Sequence, residues 1–225
     1  MGILPLIVSS GLVVWLVTQC RKPNGLLGRA ILASMNVAHS GLTDWGLGKV
    51  SIHESDTMLD VGCGGGRTVK KLAAMTPNGK VFGVDYSAAS VAASRRTNAS
   101  EIASGRVRIE QASVAALPFP DRTFDVVTAV ETHYYWPDLP ANLSEVRRVL
   151  KPGGSVVVIA EVHRQARSGG AMGMVMRVLG GKYLSLEAHR ELLEGAGFAD
   201  VIASHMPGTS WLCVVGRRPT DTVKS

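Results

Sequence analysis

Leu59-Asp60-Val61-Gly62-Cys63-Gly64-Gly65-Gly66-Arg67 is the stretch that decides the fold. Thr57 to Val61 is a short apolar run that reads as a strand. The glycines form a tight loop, and Val69, Leu72 and Ala73 then recur at helical spacing over Gly66 to Met75. A strand, a glycine-rich turn and a helix mark a doubly wound α/β sheet, which binds ligands at the carboxyl ends of its strands. Glycines there let the backbone adopt positive φ and approach a ligand closely. A dinucleotide fingerprint needs a glycine at the sixth position of the loop, where the pyrophosphate rests on the helix N-terminus. That position is Arg67, so a nicotinamide-dependent oxidoreductase is the weaker alternative.

Working outward, strand and helix alternate. Lys80 to Asp85 predicts a strand, Ala88 to Ile102 a helix, Arg106 to Ala112 a strand and Phe124 to Val130 a mostly apolar strand. Leu139, Leu143, Val146 and Leu150 mark a helix, Ser155 to Ala160 a strand, and Leu186 to Ala196 a helix that ends on Gly197. Ala199 to Ser204 and Trp211 to Gly216 are two last strands with only a Pro207-Gly208 turn between them, so the last strand is expected to run antiparallel. Apolar strands bounded by helices imply a sheet covered on both faces.

The two acids nearest the loop narrow the ligand. Asp60 lies where a pyrophosphate site would not favour an acid, and it suits a cationic group. Asp85 ends the second strand, where a carboxylate can accept from both ribose hydroxyls. Together they ask for a nucleoside with a positively charged tail and no phosphates.

Composition sets the outer bounds. The chain has 225 residues and 46% hydrophobic content, enough for one domain with a sizeable core. Three cysteines, Cys20, Cys63 and Cys213, show no paired spacing, so neither a disulfide framework nor a metal site is signalled. The net charge of +6 is scattered in pairs such as Arg95-Arg96 and Arg217-Arg218, which argues against a nucleic-acid partner.

The N-terminus differs from the rest. Ile3 to Cys20 carries no charge and is followed at once by Arg21 and Lys22. As a helix it would extend about 27 Å, short but usable against a bilayer core of about 30 Å. The charge follows the apolar run instead of preceding it, which favours an uncleaved anchor with a cytoplasmic body over a signal peptide. Residues 1–22 are therefore expected as a hydrophobic anchor helix, 23–218 as the domain and 219–225 as a tail. A helix over Leu26 to Trp45 would carry Asn36 and His39 as a lid.

Three ordered motifs resemble one family. Leu59 to Gly66 is similar to motif I of class I methyltransferases. Leu117-Pro118-Phe119-Pro120-Asp121-Arg122-Thr123-Phe124-Asp125 and Arg148-Val149-Leu150-Lys151-Pro152-Gly153-Gly154 resemble two blocks of their ubiquinone/menaquinone-type (methyltransferase type 11-like) branch. The resemblance implies a Rossmann-like sheet of seven strands with the last reversed, and S-adenosylmethionine as the cofactor. It implies that Asp60, Gly62 and Gly64 hold the methionine part, with Cys63 between them, that Asp85 holds the ribose and that Tyr86 lies by the adenine. Where the family often has an acid reading the adenine, this chain has Ser113, so the Ser113 hydroxyl or backbone groups of Ala112 to Val114 would take that part.

The acceptor is less defined. Glu131 to Asp138 follows the fourth strand at the carboxyl edge. Glu131 would sit near the methionine amine or the acceptor, His133 is the candidate base with Tyr134 beside it, and the alternative is that these aromatics simply pack on the next helix. His163, after the fifth strand, reads as an exposed loop residue. Met172, Met174 and Met176 lie in a glycine-rich insert that suits an apolar acceptor or a membrane contact, or is a surface loop. The expected activity is methyl transfer to a small-molecule or lipid-like acceptor. A non-catalytic cofactor-binding membrane module is the further alternative.

Overall fold

A computed structural model describes residues 40–161, 182 and 184–221. Helix α1 (Ser40–Leu47) precedes strand β1 (Thr57–Val61), helix α2 (Arg67–Met75) and strand β2 (Lys80–Asp85). Helices α3 (Ala88–Thr97) and α4 (Ala99–Ala103) lead to β3 (Val107–Gln111) and β4 (Phe124–Val130). A 3-10 turn (His133–Tyr135), α5 (Leu139–Val149) and β5 (Leu150–Ala160) follow, and then α6 (Leu186–Gly195), β6 (Ala199–His205) and β7 (Leu212–Arg217).

The strands form one sheet in the order β3-β2-β1-β4-β5-β7-β6. Strands β1 to β5 are parallel, and β7 runs antiparallel between β5 and β6. The chain moves outward from β1 to β3, then returns to β4 on the other side of β1. That reversal opens a crevice above the carboxyl ends of β1 and β4, where the glycine loop sits.

Period-two burial builds the two layers. Val156 and Val158 of β5 join the core on one face with Val127 and Leu143, whereas Val157 and Ile159 join the core on the other with Val126, Leu72 and Met58. A strand buried on both faces must be apolar at nearly every position, as β5 is from Val156 to Ala160. Helix starts are set by polar caps. Ser87, Asp138 and Ser185 accept from the backbone N–H groups of Ser90, Ala141 and Ala188.

Some boundaries depart from expectation. The helix expected over Ala88 to Ile102 breaks at Asn98, whose side-chain amide donates to Gly66 O and Ser94 O at 2.9 Å each. The break ties the end of the glycine loop to α3. Strand β5 begins at Leu150, five residues before the expected start, because Leu150 already pairs with Phe124 ahead of a register shift between Phe124 and Val126. Of the helix expected over 26–45, the described part is α1, which runs on to Leu47. Gly46 packs so tightly on Ile159 of β5 that a Cβ would lie 2.5 Å from its Cδ1. Trp45 tilts against Trp211 with ring centroids 6.4 Å apart.

The expected anchor at 1–22, Asn36, His39, His163, the methionine-rich insert and most of the tail lie outside the described residues. Among the described residues no helix is long and apolar enough to cross a membrane.

Candidate active site

The glycine loop is fixed from two sides. Gly62 N and Cys63 N both donate to Val84 O of β2, at 2.8 and 2.9 Å. Gly62 has φ 78°, and a Cβ there would lie 2.2 Å from Thr132 Oγ1, so the chain leaving β4 occupies the space a side chain would need. Gly66 has φ 82° and is closed by Asn98 and Ser94 in the same way, which delays the start of α2 to Arg67.

Asp85 locks the loop to the next turn. Its Oδ2 accepts from Gly64 N at 3.0 Å and its Oδ1 from Ser87 N at 2.8 Å. Burial raises its carboxyl above the ordinary range, and these two N–H groups pull it back part of the way. Each oxygen keeps a lone pair for another donor.

Above this floor lies a cavity of about 470 Å³. Gly62, Cys63 and Gly64, Asp85 and Tyr86, Ala112 to Val114, and Glu131 all line it. Ser113 Oγ accepts from Ala115 N at 3.2 Å, so this hydroxyl is turned to its own loop.

Asp60 is not on the cavity wall. It pairs in register with Thr128 of β4, whose hydroxyl donates to its carboxyl at 2.7 Å. It is 2% exposed, and burial pushes its carboxyl up to about 7, with the neighbouring Asp85 adding to the rise. The acid expected to meet the ligand tail is thus buried beneath the loop, with Thr128 as its partner. As register partners on neighbouring strands, Asp60 and Thr128 present their side chains on the same face of the sheet.

The expected base is also elsewhere. His133 is 3% exposed, and its Nε2 lies 2.8 Å from His189 Nε2 of α6. His189 Nδ1 lies 2.7 Å from Ser185 O, so it must carry the proton, which leaves His189 Nε2 as acceptor and His133 Nε2 as donor. Burial, and His189 beside it, hold His133 well below the ordinary histidine range and therefore neutral. His133 Nδ1 has no hydrogen-bond partner among the described residues. His133 is thus placed against α6 and is not among the residues that line the cavity.

Tyr134 is buried too, and its hydroxyl donates to Glu131. Burial and the Glu131 carboxylate push this phenol well above its ordinary value. The Glu131 carboxylate also accepts from Glu161 N. Glu131 holds φ 56° without being glycine, a strained backbone at the end of β4 of the kind that clusters at functional sites. Tyr134 therefore bears on the cavity through Glu131, and the wall itself is made by Tyr135, Trp136 and Pro137.

Ser40 and Thr43 of α1, and Arg67, Thr68 and Lys71 of α2, also line the cavity. Sequence singled out none of them as ligand contacts. The one signal was the spacing of Arg67 and Lys71, which places two cations on the same helix face next to the loop.

The other two motif blocks are structural. Arg148 donates to Phe119 O and Leu117 O and pairs with Asp121 and Glu145. Asp125 accepts from Thr57 N and pairs with Lys151. These bonds bind the segment between β3 and β4 to α5 and to the start of β5, away from the cavity.

A glycine cradle that excludes a Cβ and an anchored carboxylate at the end of β2 fit a nucleoside whose tail passes over the loop. This sheet order, with its crevice at the carboxyl ends of the strands, is the Rossmann-like methyltransferase fold. Residues 58–154 match the methyltransferase domain family. The chain is 39% identical over 105 residues to the demethylmenaquinone methyltransferase of Symbiobacterium thermophilum, covering 46% of this chain and 42% of that one. It is 40% identical over 107 residues to the ubiquinone/menaquinone biosynthesis C-methyltransferase of Geobacter sulfurreducens, covering 47% and 42%. Over this stretch the chain is thus similar to S-adenosylmethionine-dependent methyltransferases of the ubiquinone/menaquinone type. The chain spans less than half the length of these two curated relatives. In fold it is similar to human N-acetylserotonin methyltransferase in complex with S-adenosylmethionine, with TM-score 0.70, 18% identity, and coverage of 84% of this chain and 55% of that one.

Proposed function

We propose that the protein transfers a methyl group from S-adenosylmethionine to a small apolar acceptor with a planar, quinone-like ring. The observation that carries the cofactor half is Asp85, held by Gly64 N and Ser87 N at the foot of the cavity. Its free lone pairs face the place where ribose hydroxyls would donate, and Tyr86 and Ala112 to Val114 flank the base. The acceptor half rests on the wall of Tyr135, Trp136 and Pro137 and on the quinone substrates in the relatives' names.

The cofactor supplies the electrophilic methyl. The chain aligns the tail over the glycine loop, and the aromatic wall excludes water and stacks the acceptor. Among the described residues lining the cavity, Glu131 is the group proposed to take the proton of an acceptor that has to lose one. Calorimetry with S-adenosylmethionine, followed by transfer of labelled methyl to a panel of quinols, tests the reading. Binding without transfer would favour a non-catalytic module, and no binding at millimolar cofactor would end the methyltransferase assignment.

The apolar stretch of residues 3–20 is proposed to hold the domain at a membrane, where lipid-like acceptors reside. Equal partition of the full chain and of a chain starting at Asn24 between membrane and supernatant would remove that part.

A further inference from the structure

Two cations line the cavity and play no part in holding the nucleoside. Arg67 and Lys71 lie one turn apart on α2, and both face the crevice. Arg67 Nη2 reaches Ser40 Oγ of α1 at 3.4 Å. Lys71 Nζ reaches Ser40 O at 3.4 Å and pairs with Asp44, whose side chain is 62% exposed.

Their charge is unfavourable for the proposed ligand taken as a whole. S-adenosylmethionine has a sulfonium, an ammonium and one carboxylate, so it is net positive. Fixed cations on the wall repel such a ligand unless they meet its one anionic group. Position agrees with charge. The cavity runs from Tyr86 and Ala112 to Val114, at the ends of β2 and β3, across the glycine loop to α1. With the ribose on Asp85, the amino-acid tail points toward α1, Arg67 and Lys71.

Resting on the cofactor reading above, we infer that Arg67 and Lys71 form the subsite for the α-carboxylate of the methyl donor, with Ser40 as a third donor. Arg67 offers a planar pair of N–H groups matched to a carboxylate. The partner of Lys71, Asp44, is exposed and screened by solvent, while the Lys71 side chain is 22% exposed, so a ligand carboxylate can share the cation from the cavity side. Bound there, the carboxylate bridges α2 to α1 and fastens the wall made by Ser40 and Thr43.

The test compares S-adenosylmethionine with its decarboxylated form, which keeps sulfonium and amine and lacks only the carboxylate. On the full chain, calorimetry should find S-adenosylmethionine bound at least about tenfold more tightly, as expected for charge-assisted hydrogen bonds. Arg67→Met should bring that ratio toward one by weakening S-adenosylmethionine alone, Lys71→Met should reduce it, and Arg67→Lys should restore part. Hydrogen exchange over residues 40–47 should slow more with S-adenosylmethionine than with the decarboxylated ligand. Equal affinity of the unsubstituted protein for the two ligands overturns the subsite and leaves the cofactor reading standing. An unchanged ratio in both Met variants overturns it as well. Binding of neither ligand sinks the cofactor reading and the subsite with it.

Discussion

The two halves of the cavity are made differently. The half over β1 and β2 is built of backbone. Three loop glycines at positive φ, paired amides on Val84 O and a carboxylate held by two N–H groups leave little freedom. The half over β4 and β5 is built of side chains. Glu131 is strained at φ 56°, Tyr134 leans on it, and His133 turns away to meet His189 of a helix more than fifty residues on. The first half is a rigid seat that tolerates almost no substitution, and the second is a packed wall whose shape other residues can rebuild.

The largest expected effect lies in the seat. Gly62→Ala forces a Cβ into Thr132 at φ 78°. Left-handed strain and overpacking together should cost up to about 5 kcal/mol of stability, and S-adenosylmethionine binding should fall below detection in calorimetry. Retained binding would mean that the wall at Thr132 yields to the loop.

Next is Asp60, beneath the seat. Its carboxyl is held at about 7, against an ordinary value of 3.8, by burial. Because the folded value is the higher one, the folded state keeps a proton that the unfolded chain has lost. Stability should therefore fall as pH rises from about 4 to about 7, by on the order of 4 kcal/mol, and then level off. Asp60→Asn should flatten that slope in denaturant melts of the ligand-free protein. The cationic tail favours the ionised acid, so wild-type cofactor affinity should rise over the same window. A flat affinity profile would place Asp60 beyond the ligand's field.

Asp85→Ala removes the acceptor of Gly64 N and Ser87 N and the proposed ribose partner. About 3 kcal/mol of binding, or roughly a hundredfold in affinity, should be lost. Unchanged affinity would move the nucleoside away from β2.

The smallest effect is expected in the wall. His133→Leu leaves His189 Nε2 without its donor and should lower Tm by a few degrees. Turnover in a methyl-transfer assay should stay within about tenfold of the parent. A general base contributes roughly 10²–10⁴-fold, so a loss of that size would return His133 to the reaction.

The same contrast governs what the sequence reveals. Strands β1, β2 and β4 begin and end where their apolar runs do, because a strand buried on both faces has no freedom in composition. The seat is legible for a similar reason, since glycines at set positions answer to local backbone geometry. The wall is not. That His133 faces α6, that Asp60 faces Thr128 and that Arg67 and Lys71 reach Ser40 are long-range contacts with no local signature. Asn98 illustrates the boundary between the two. Its residue type permits a helix, and the break comes from Gly66 O, thirty-two residues earlier.

The place of β7 bears on how the molecule comes together. Among the described residues, strand β6 pairs only with β7, which itself slots between β6 and β5. Made on a ribosome, β6 has nowhere to dock until the next strand has emerged. Helix α1, synthesised long before, also waits, because Trp45 and Gly46 pack on Trp211 and Cys213. The loop that seats the ligand can thus form early, while the α1 side of the crevice closes in the last stage of folding. Slow or failed β7 insertion would leave a nascent chain with a finished seat, an open flank and an unpaired edge exposed to chaperones and aggregation.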